Sequence, residues 1–117
     1  MRNMSFALTT EQIRNRTKTV TRRLGWLTLQ PGDLVRAVVK SQGLKKGEKV
    51  EELALIRIRK VNREPLDRML LFPSYGSKES VKEGFPGGDP WWFVAFFAKT
   101  HRCGQGDDVT RIEFEYV

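Results

Sequence analysis

Apolar and polar residues alternate in two stretches of the chain, and this alternation predicts two β-strands. In residues 53–61, successive side chains fall on opposite faces of an extended chain, with Ile56 and Ile58 on the same face. In residues 109–117, the even-numbered positions carry Thr, Ile, Phe and Tyr, whereas Arg and Glu occupy the odd positions between them. We therefore expect the second strand to have one face in the core.

A short helix followed by an extended segment is predicted near the amino terminus. Thr9, with Gln12 three residues later, has the form of a capping box, so we expect a helix over residues 10–16. Residues 17–23 contain three Thr and one Val, and β-branched side chains favour an extended chain. The pattern therefore predicts that the helix leads directly into a strand.

The most apolar part of the chain is predicted to be a buried helix. Asp89 suits the cap position and Pro90 the first helical position, so the helix is expected over residues 90–100. Its side chains are apolar nearly all round, and we therefore expect it to be largely buried, with its Phe side chains in the core. For at least one of Trp91 and Trp92 we expect core packing, and a stacking face for a base is the alternative.

The remaining patterns predict short elements and complete the fold class. A turn at Pro31 leads into a strand over residues 34–39, and residues 64–70 and 77–82 are each expected to form helical turns, separated at Pro73. Four or five strands, two or three short helices and no βαβ rhythm predict an α+β fold, a small and mostly antiparallel β-barrel.

Composition narrows the class of protein. The 117 residues, 39% hydrophobic and 30% charged, suit a single globular domain spanning residues 1–117. The longest apolar run, residues 91–98, is too short to cross a bilayer, and the amino terminus lacks the pattern of a secretion signal. One Cys and one His provide neither a disulfide nor the ligands of a structural zinc site. We expect a cytoplasmic protein without a metal, a cofactor or a membrane partner.

The net charge of +7 is unevenly distributed. Residues 1–63 hold 15 Lys and Arg against 5 Asp and Glu, whereas residues 64–117 hold 6 against 9. A basic half attracts polyanions, so RNA is the expected partner, and a basic surface with no specific partner is the alternative.

Three motifs resemble those of the ASCH domain, which belongs to the PUA-like superfamily. They are Lys-Thr-Val-Thr-Arg-Arg at positions 18–23, the Pro-Gly-Asp turn that starts at Pro31, and Glu83-Gly84-Phe85 ahead of the aromatic helix. The resemblance follows the order of the motifs over nearly the whole chain. It implies a PUA-like β-barrel with a cleft for RNA or a modified nucleoside.

The resemblance also implies candidate catalytic residues. Some bacterial members hydrolyse the acetyl amide of N(4)-acetylcytidine with a Lys, a Thr and a Glu, which correspond here to Lys18, Thr21 and Glu83. Another member has been regarded as a ribonuclease. The family often has Gly where this chain has Arg16, and Asn15, which tolerates positive φ, is expected to take over part of that role.

Elementary chemistry leaves the proton acceptor open. Thr21 is a nucleophile only beside a base, and Lys18 acts as a base only if its pKa falls well below about 10.4. Burial or the nearby Arg22 and Arg23 would lower that pKa, whereas a close Glu83 would raise it and would then handle protons itself. Lys18 and Thr21 also diverge in a regular strand, so they meet only if Lys18 precedes the strand or lies in a bulge.

The other candidate residues concern binding. Arg16, Arg22 and Arg23 are expected to contact nucleic-acid phosphates, and a solvated basic edge is the alternative. We expect His101 and Cys103 to be a surface loop pair without a catalytic role. Three functions follow: an amidohydrolase acting on an acetylated pyrimidine nucleoside, a non-catalytic RNA-binding module, and a ribonuclease that uses the same cleft.

Overall fold

One five-stranded sheet organises the chain, and the computed structural model describes all of residues 1–117. The spatial order of the strands is β1-β3-β4-β5-β2, and the sheet curls into a half-barrel. β1 runs parallel to β3, while the other three pairs are antiparallel. The predicted α+β class with a mostly antiparallel sheet is therefore confirmed. The strands are β1 (Arg2–Ser5), β2 (Val20–Arg23), β3 (Leu34–Val38), β4 (Glu52–Pro65) and β5 (Asp108–Tyr116).

Four helices accompany the sheet, one more than the upper number expected. Pro73 was expected to separate two helical segments, and it is the first residue of the second and longer one. That helix therefore begins at residue 73 and not at the expected residue 77. Glu64 and Pro65, which were expected to begin a helical turn, belong instead to strand β4, which pairs with β5 as far as Pro65. The helices are α1 (Thr10–Arg14), α2 (Arg68–Leu71), α3 (Pro73–Lys82) and α4 (Pro90–His101).

Strand β1 has no counterpart among the predicted elements. Its sequence, Arg-Asn-Met-Ser, shows no alternation, and it forms because it pairs with β3 from Arg2 opposite Val35 to Ser5 opposite Val38. A four-residue strand of this kind depends on its partner and not on its own pattern.

The hydrophobic side chains form two core clusters, one on the sheet and one under the helices. The sheet cluster includes Phe6, Ile58 and Phe114, all almost fully buried. The helix cluster combines Phe93 and Phe97 of α4 with residues of α2 and β5. That all 117 residues form one domain remains a prediction from length.

Helix α4 begins as predicted but is less buried than predicted. The Asp89 carboxylate accepts a hydrogen bond from the Trp92 amide at 3.1 Å, and Pro90 is the first helical residue. Only one face packs on the core, so Trp91 and Trp92 are 63% and 48% exposed. The expectation that one of them lies in the core is wrong, because α4 covers the helix cluster from outside.

None of the helices has both the length and the apolar character that crossing a membrane requires.

Candidate active site

A cavity of about 200 Å³ lies where the end of β1, the start of β2, the end of α3 and helix α4 meet. Both aromatic and polar side chains line it. The aromatic residues are Phe6, Phe85, Phe93, Phe96 and Phe97, and the polar ones include Lys18, Thr21, Arg22, Arg23, Glu83 and His101. The volume lies below the roughly 300–1,000 Å³ of drug-sized ligand sites, so the cavity suits a small group.

Lys18 and Glu83 form a buried ion pair at this cavity. The Lys18 Nζ atom donates to Glu83 Oε1 at 2.7 Å and to the Glu83 backbone carbonyl at 2.8 Å. The two residues are only 3% and 2% exposed. Because an unpaired buried charge is costly, each of these groups depends on the other.

The backbone between α1 and β2 brings Lys18 to this position. Arg16 has φ +61°, whereas Asn15 has φ −88°, so the left-handed residue is Arg16 and not Asn15 as expected. Strand β2 begins only at Val20, so Lys18 precedes it and is free of its alternation. The Thr19 amide donates to the Lys82 carbonyl at 2.8 Å, which fixes this segment beside the end of α3. Lys18 and Thr21 can therefore face the same cavity.

Gly84 lets the end of α3 approach α1 closely. Its φ of +105° disfavours other residues, and a Cβ atom there would lie 2.6 Å from the Gln12 side chain. Glu83, the residue before it, is thereby held against Lys18.

Arg22 ties four polar side chains together beneath the cavity. Its Nη1 atom donates to Glu83 at 3.0 Å, and its Nη2 atom lies within 3.3 Å of acceptors on Glu64, Tyr75 and Glu79. The Arg22 side chain is 0% exposed. A phosphate cannot reach this guanidinium, so the expected phosphate contact fails for Arg22. Burial of an Arg becomes tolerable only when several carboxylates surround it.

Arg23 lies over the Phe6 ring, its guanidinium carbon 4.6 Å from the ring centroid, and contacts Thr21. Its Nε atom donates to the Thr21 hydroxyl oxygen at 3.1 Å. Burial lowers the pKa of Arg23 to about 10, against the opposing effect of Glu83, so it stays protonated at neutral pH. Thr21 Oγ1 therefore faces a cation that favours negative charge on the oxygen.

The pKa of the Lys18 ammonium is lowered from its ordinary value of 10.5. Burial is the main cause, because it disfavours the charged form, and the cations of Arg23 and Arg22 act in the same direction. Glu83 raises the pKa of Lys18 but does not outweigh burial. Lys18 thus loses its proton more readily than an exposed lysine.

His101 also lines the cavity, a place that the sequence did not indicate. It is the last residue of α4, and its ring lies 4.1 Å from that of Phe97. Burial, followed by the Arg23 cation, lowers the pKa of His101 below 6.5. His101 is exposed, as expected of a surface residue, but it belongs to α4 and not to a loop. Cys103 is not among the cavity residues. The helical spacing of Phe93, Phe97 and His101 is the signal that could have placed His101.

Among the three predicted binding arginines, Arg16 is the exposed one. Its guanidinium carbon lies 5.3 Å from the centroid of the Tyr116 ring. Its phosphate contact stays a prediction. The structure brings together no three His, Cys, Asp or Glu side chains in an arrangement suited to a metal ion.

Comparisons with known proteins identify the fold. No protein-family model matches the sequence, and no curated protein matches it significantly. The ASCH domain from Lactobacillus crispatus JV V101 superposes with a TM-score of 0.65 at 17% identity, covering 98% of this chain and 78% of that one. The hypothetical protein PH0355 superposes with a TM-score of 0.63 at 14% sequence identity, covering 99% of this chain and 96% of that one. Protein EF3133 from Enterococcus faecalis V583 superposes with a TM-score of 0.61 at 16% identity, covering 99% of this chain and 79% of that one. The chain therefore has an ASCH-like fold.

Proposed function

We propose that this protein is an amidohydrolase that removes the acetyl group from N(4)-acetylcytidine or a related acetylated pyrimidine nucleoside. The observation that carries the proposal is the buried Lys18–Glu83 pair, which lines the same small cavity as the Thr21 hydroxyl. These are the three residues that match the amidohydrolase motif of the ASCH domain. The aromatic side chains of the cavity suit the planar pyrimidine ring.

The proposed reaction has two stages. The Thr21 hydroxyl oxygen attacks the acetyl carbonyl carbon while Lys18 takes the hydroxyl proton. The tetrahedral intermediate then collapses, the bond from carbon to the exocyclic nitrogen breaks, and Lys18 returns the proton to that nitrogen. Water next attacks the carbonyl carbon of the acetyl ester on Thr21 while Lys18 takes a water proton. The bond from that carbon to Thr21 Oγ1 then breaks, and Lys18 returns the proton to Oγ1, which restores the hydroxyl. The products are cytidine and acetic acid, which loses its proton to solvent as acetate.

The hydrogen bonds favour Lys18 over Glu83 as the base. Both carboxylate oxygens of Glu83 already accept hydrogen bonds from cations, Oε1 from Lys18 and Oε2 from Arg22. The carboxylate is therefore engaged by two of the protein's own cations. Its role is to orient the Lys18 amine, whose lowered pKa suits a base.

Thr21 forms no hydrogen bond with Lys18 and accepts one from Arg23. Catalytic hydrogen bonds commonly tighten only in the complex with substrate, so this geometry is compatible with the assigned roles. Arg23 leaves the hydroxyl proton free to be donated and stabilises the oxygen as it becomes negative.

The test is acetate release from N(4)-acetylcytidine by the purified protein. Thr21→Val removes the nucleophilic oxygen and keeps the side-chain volume, so activity should fall by orders of magnitude. Thr100→Val, an exposed position on α4, is the matched control and should keep full activity. A wild-type protein that releases no acetate, from the free nucleoside or from RNA that contains it, would overturn the proposal.

The exposed indoles of Trp91 and Trp92 favour a second candidate, a non-catalytic RNA-binding module. Exposed aromatic rings stack on unpaired bases. This candidate predicts RNA binding that Trp92→Ala weakens and Thr21→Val leaves unchanged, without acetate release. The ribonuclease has no observation of its own and stays a prediction from the resemblance.

A further inference from the structure

The Thr9 side chain does not serve the helix that it precedes. Thr9 lies immediately before α1, as the capping-box motif predicts, but its hydroxyl forms no hydrogen bond with the helix. The turn is fixed by other groups, because the Thr10 hydroxyl donates to the Phe6 carbonyl at 2.9 Å and the Thr9 amide donates to the same carbonyl at 3.1 Å. The Thr9 hydroxyl is therefore held in place without being used by the fold.

This hydroxyl belongs to the cavity. Thr9 is one of the residues that line the cavity, and it is only 8% exposed. Its Oγ1 atom forms no hydrogen bond within the protein and is not among the completely covered polar atoms that lack a partner. A molecule in the cavity can therefore reach it.

Thr9 differs in this respect from the other hydroxyl side chains of the cavity, Ser5 and Thr21. The Ser5 hydroxyl donates to the Val39 carbonyl at 3.0 Å, and the Thr21 hydroxyl accepts from Arg23 at 3.1 Å. Buried polar groups are nearly always hydrogen-bonded, and an unpaired one calls for an explanation. A ligand that supplies the missing partner is such an explanation.

The proposed substrate carries suitable atoms. In the proposed reaction the acetyl carbon lies at Thr21, so the pyrimidine ring occupies the rest of the cavity, which Thr9 borders. The ring nitrogen N3 and the carbonyl oxygen O2 are hydrogen-bond acceptors, and they lose their water when the ring enters the cavity. A threonine hydroxyl can donate one hydrogen bond in place of that water.

We propose that Thr9 is a substrate-binding residue whose hydroxyl donates a hydrogen bond to the N3 and O2 edge of the pyrimidine ring. The assignment rests on the proposed function, which supplies the pyrimidine. The ring edge is the same in N(4)-acetylcytidine and in the product cytidine. Thr9 therefore binds both equally, and a contact of this kind affects KM and not kcat.

The first test is calorimetric titration with cytidine, which reads binding without hydrolysis. Thr9→Val keeps the side-chain volume and removes the hydroxyl, so it should weaken binding by about 2- to 12-fold, the usual net effect of one hydrogen bond. Thr9→Ser retains the hydroxyl and should bind more tightly than Thr9→Val. Thr100→Val, at an exposed position outside the cavity, is the control and should keep the wild-type affinity.

Steady-state kinetics with N(4)-acetylcytidine locates the contact on the ligand. Thr9→Val should raise KM by the same factor by which it weakens cytidine binding, at unchanged kcat. A loss seen only with the acetylated ligand would place Thr9 at the acetyl group and would overturn the proposed contact with the ring edge.

Urea unfolding tests the state of the hydroxyl in the free protein. Thr9→Val should not lower the free energy of unfolding, because the hydroxyl has no partner in the protein. Thr10→Val should lower it, because the bond to the Phe6 carbonyl is lost. Equal losses in the two variants would show that the Thr9 hydroxyl is bonded within the protein and would overturn the proposal.

The outcomes separate this proposal from the proposed function. A wild type that binds cytidine but releases no acetate would overturn the proposed function alone, and the Thr9→Val titration would still decide the role of Thr9. Acetate release with unchanged cytidine affinity and KM in Thr9→Val would overturn the role of Thr9 alone. A wild type that neither binds cytidine nor releases acetate would overturn both.

Discussion

The Nζ atom of Lys18 lies 2.7 Å from Oε1 of Glu83, although the two residues are 65 positions apart in the chain. This contact joins the segment before β2 to the end of α3. It also sets the proton affinity of Lys18, because burial lowers its pKa while Glu83 opposes that shift. The predictions for catalysis follow from this balance.

We expect Glu83→Gln to move the pH profile of hydrolysis toward lower pH. In the wild type, the rate should rise with pH as Lys18 loses its proton, at a pKa below 10.5. Glu83 raises that pKa, so removing its charge lowers the pKa further. Initial rates of acetate release across pH provide the measurement. If Glu83 were the base, the variant would be inactive at every pH.

We expect Lys18→Met and Thr21→Val to be strongly non-additive. General base catalysis typically contributes about 10²–10⁴-fold, and the base has no role once the nucleophile is absent. The double variant should therefore be no slower than Thr21→Val alone. Lys46→Met, at an exposed loop position, is the control and should keep the wild-type rate. Rate losses that multiply in the double variant would contradict the assigned roles.

We expect Arg22→Met to destabilise the fold by about 3–5 kcal/mol, since it leaves buried carboxylates without their shared partner. Arg22→Lys should also be destabilising, because one ammonium cannot replace the several fixed donors of a guanidinium. Urea unfolding measures both. Arg57→Met breaks an exposed pair with Glu115 and should change the free energy of unfolding by about 1 kcal/mol or less. Similar losses at positions 22 and 57 would argue against a structural role for the network.

We expect stability to fall in acid partly through Glu79. Hydrogen bonds from Arg111 and the charge of Arg22 outweigh burial and lower the pKa of Glu79 to about 2, from an ordinary 4.5. A lowered carboxyl pKa stabilises the fold above about pH 4.5, and this contribution is lost as pH falls toward 2. Urea unfolding from pH 6 to pH 2 should show a shallower decline for Glu79→Gln. An equal decline in both proteins would refute this contribution.

We expect His101→Ala to raise KM more than it lowers kcat. His101 lines the cavity, and its lowered pKa keeps the imidazole neutral at pH 7, able to donate or accept one hydrogen bond. A net contribution of about 0.5–1.5 kcal/mol corresponds to roughly 2- to 12-fold in affinity. Steady-state kinetics with N(4)-acetylcytidine decides this. A large fall in kcat at unchanged KM would instead place His101 in the chemical step.

Much of the fold was predictable because several elements carry their own signals. The alternation in β4 and β5 and the Asp89–Pro90 start of α4 are local patterns, and each element begins within one residue of where it was expected, although β4 extends to Pro65. Strand β1 was not predictable, since its four residues become a strand only by pairing with β3. The orientation of α4 likewise depends on what packs against it, and composition alone overstated its burial.

The sequence predicted which residues form the candidate site, but it predicted only part of the environment around each of them. The motif resemblance named Lys18, Thr21 and Glu83, and the structure brings them to one cavity. The environment of Arg22 was beyond the sequence, because its partners lie 42 to 61 positions away along the chain. An arginine in a basic run suggests an exposed cation, and only the fold reveals the carboxylates around it.

The shared guanidinium of Arg22 restricts how this protein can vary. Glu64, Glu79 and Glu83 each owe part of their neutralisation to the same side chain. A substitution at any one of these positions changes the charge balance for the rest. Single substitutions at these positions should therefore be disfavoured during evolution. Only coordinated replacements should be tolerated, in which an apolar residue at position 22 appears together with loss of the acidic side chains that face it.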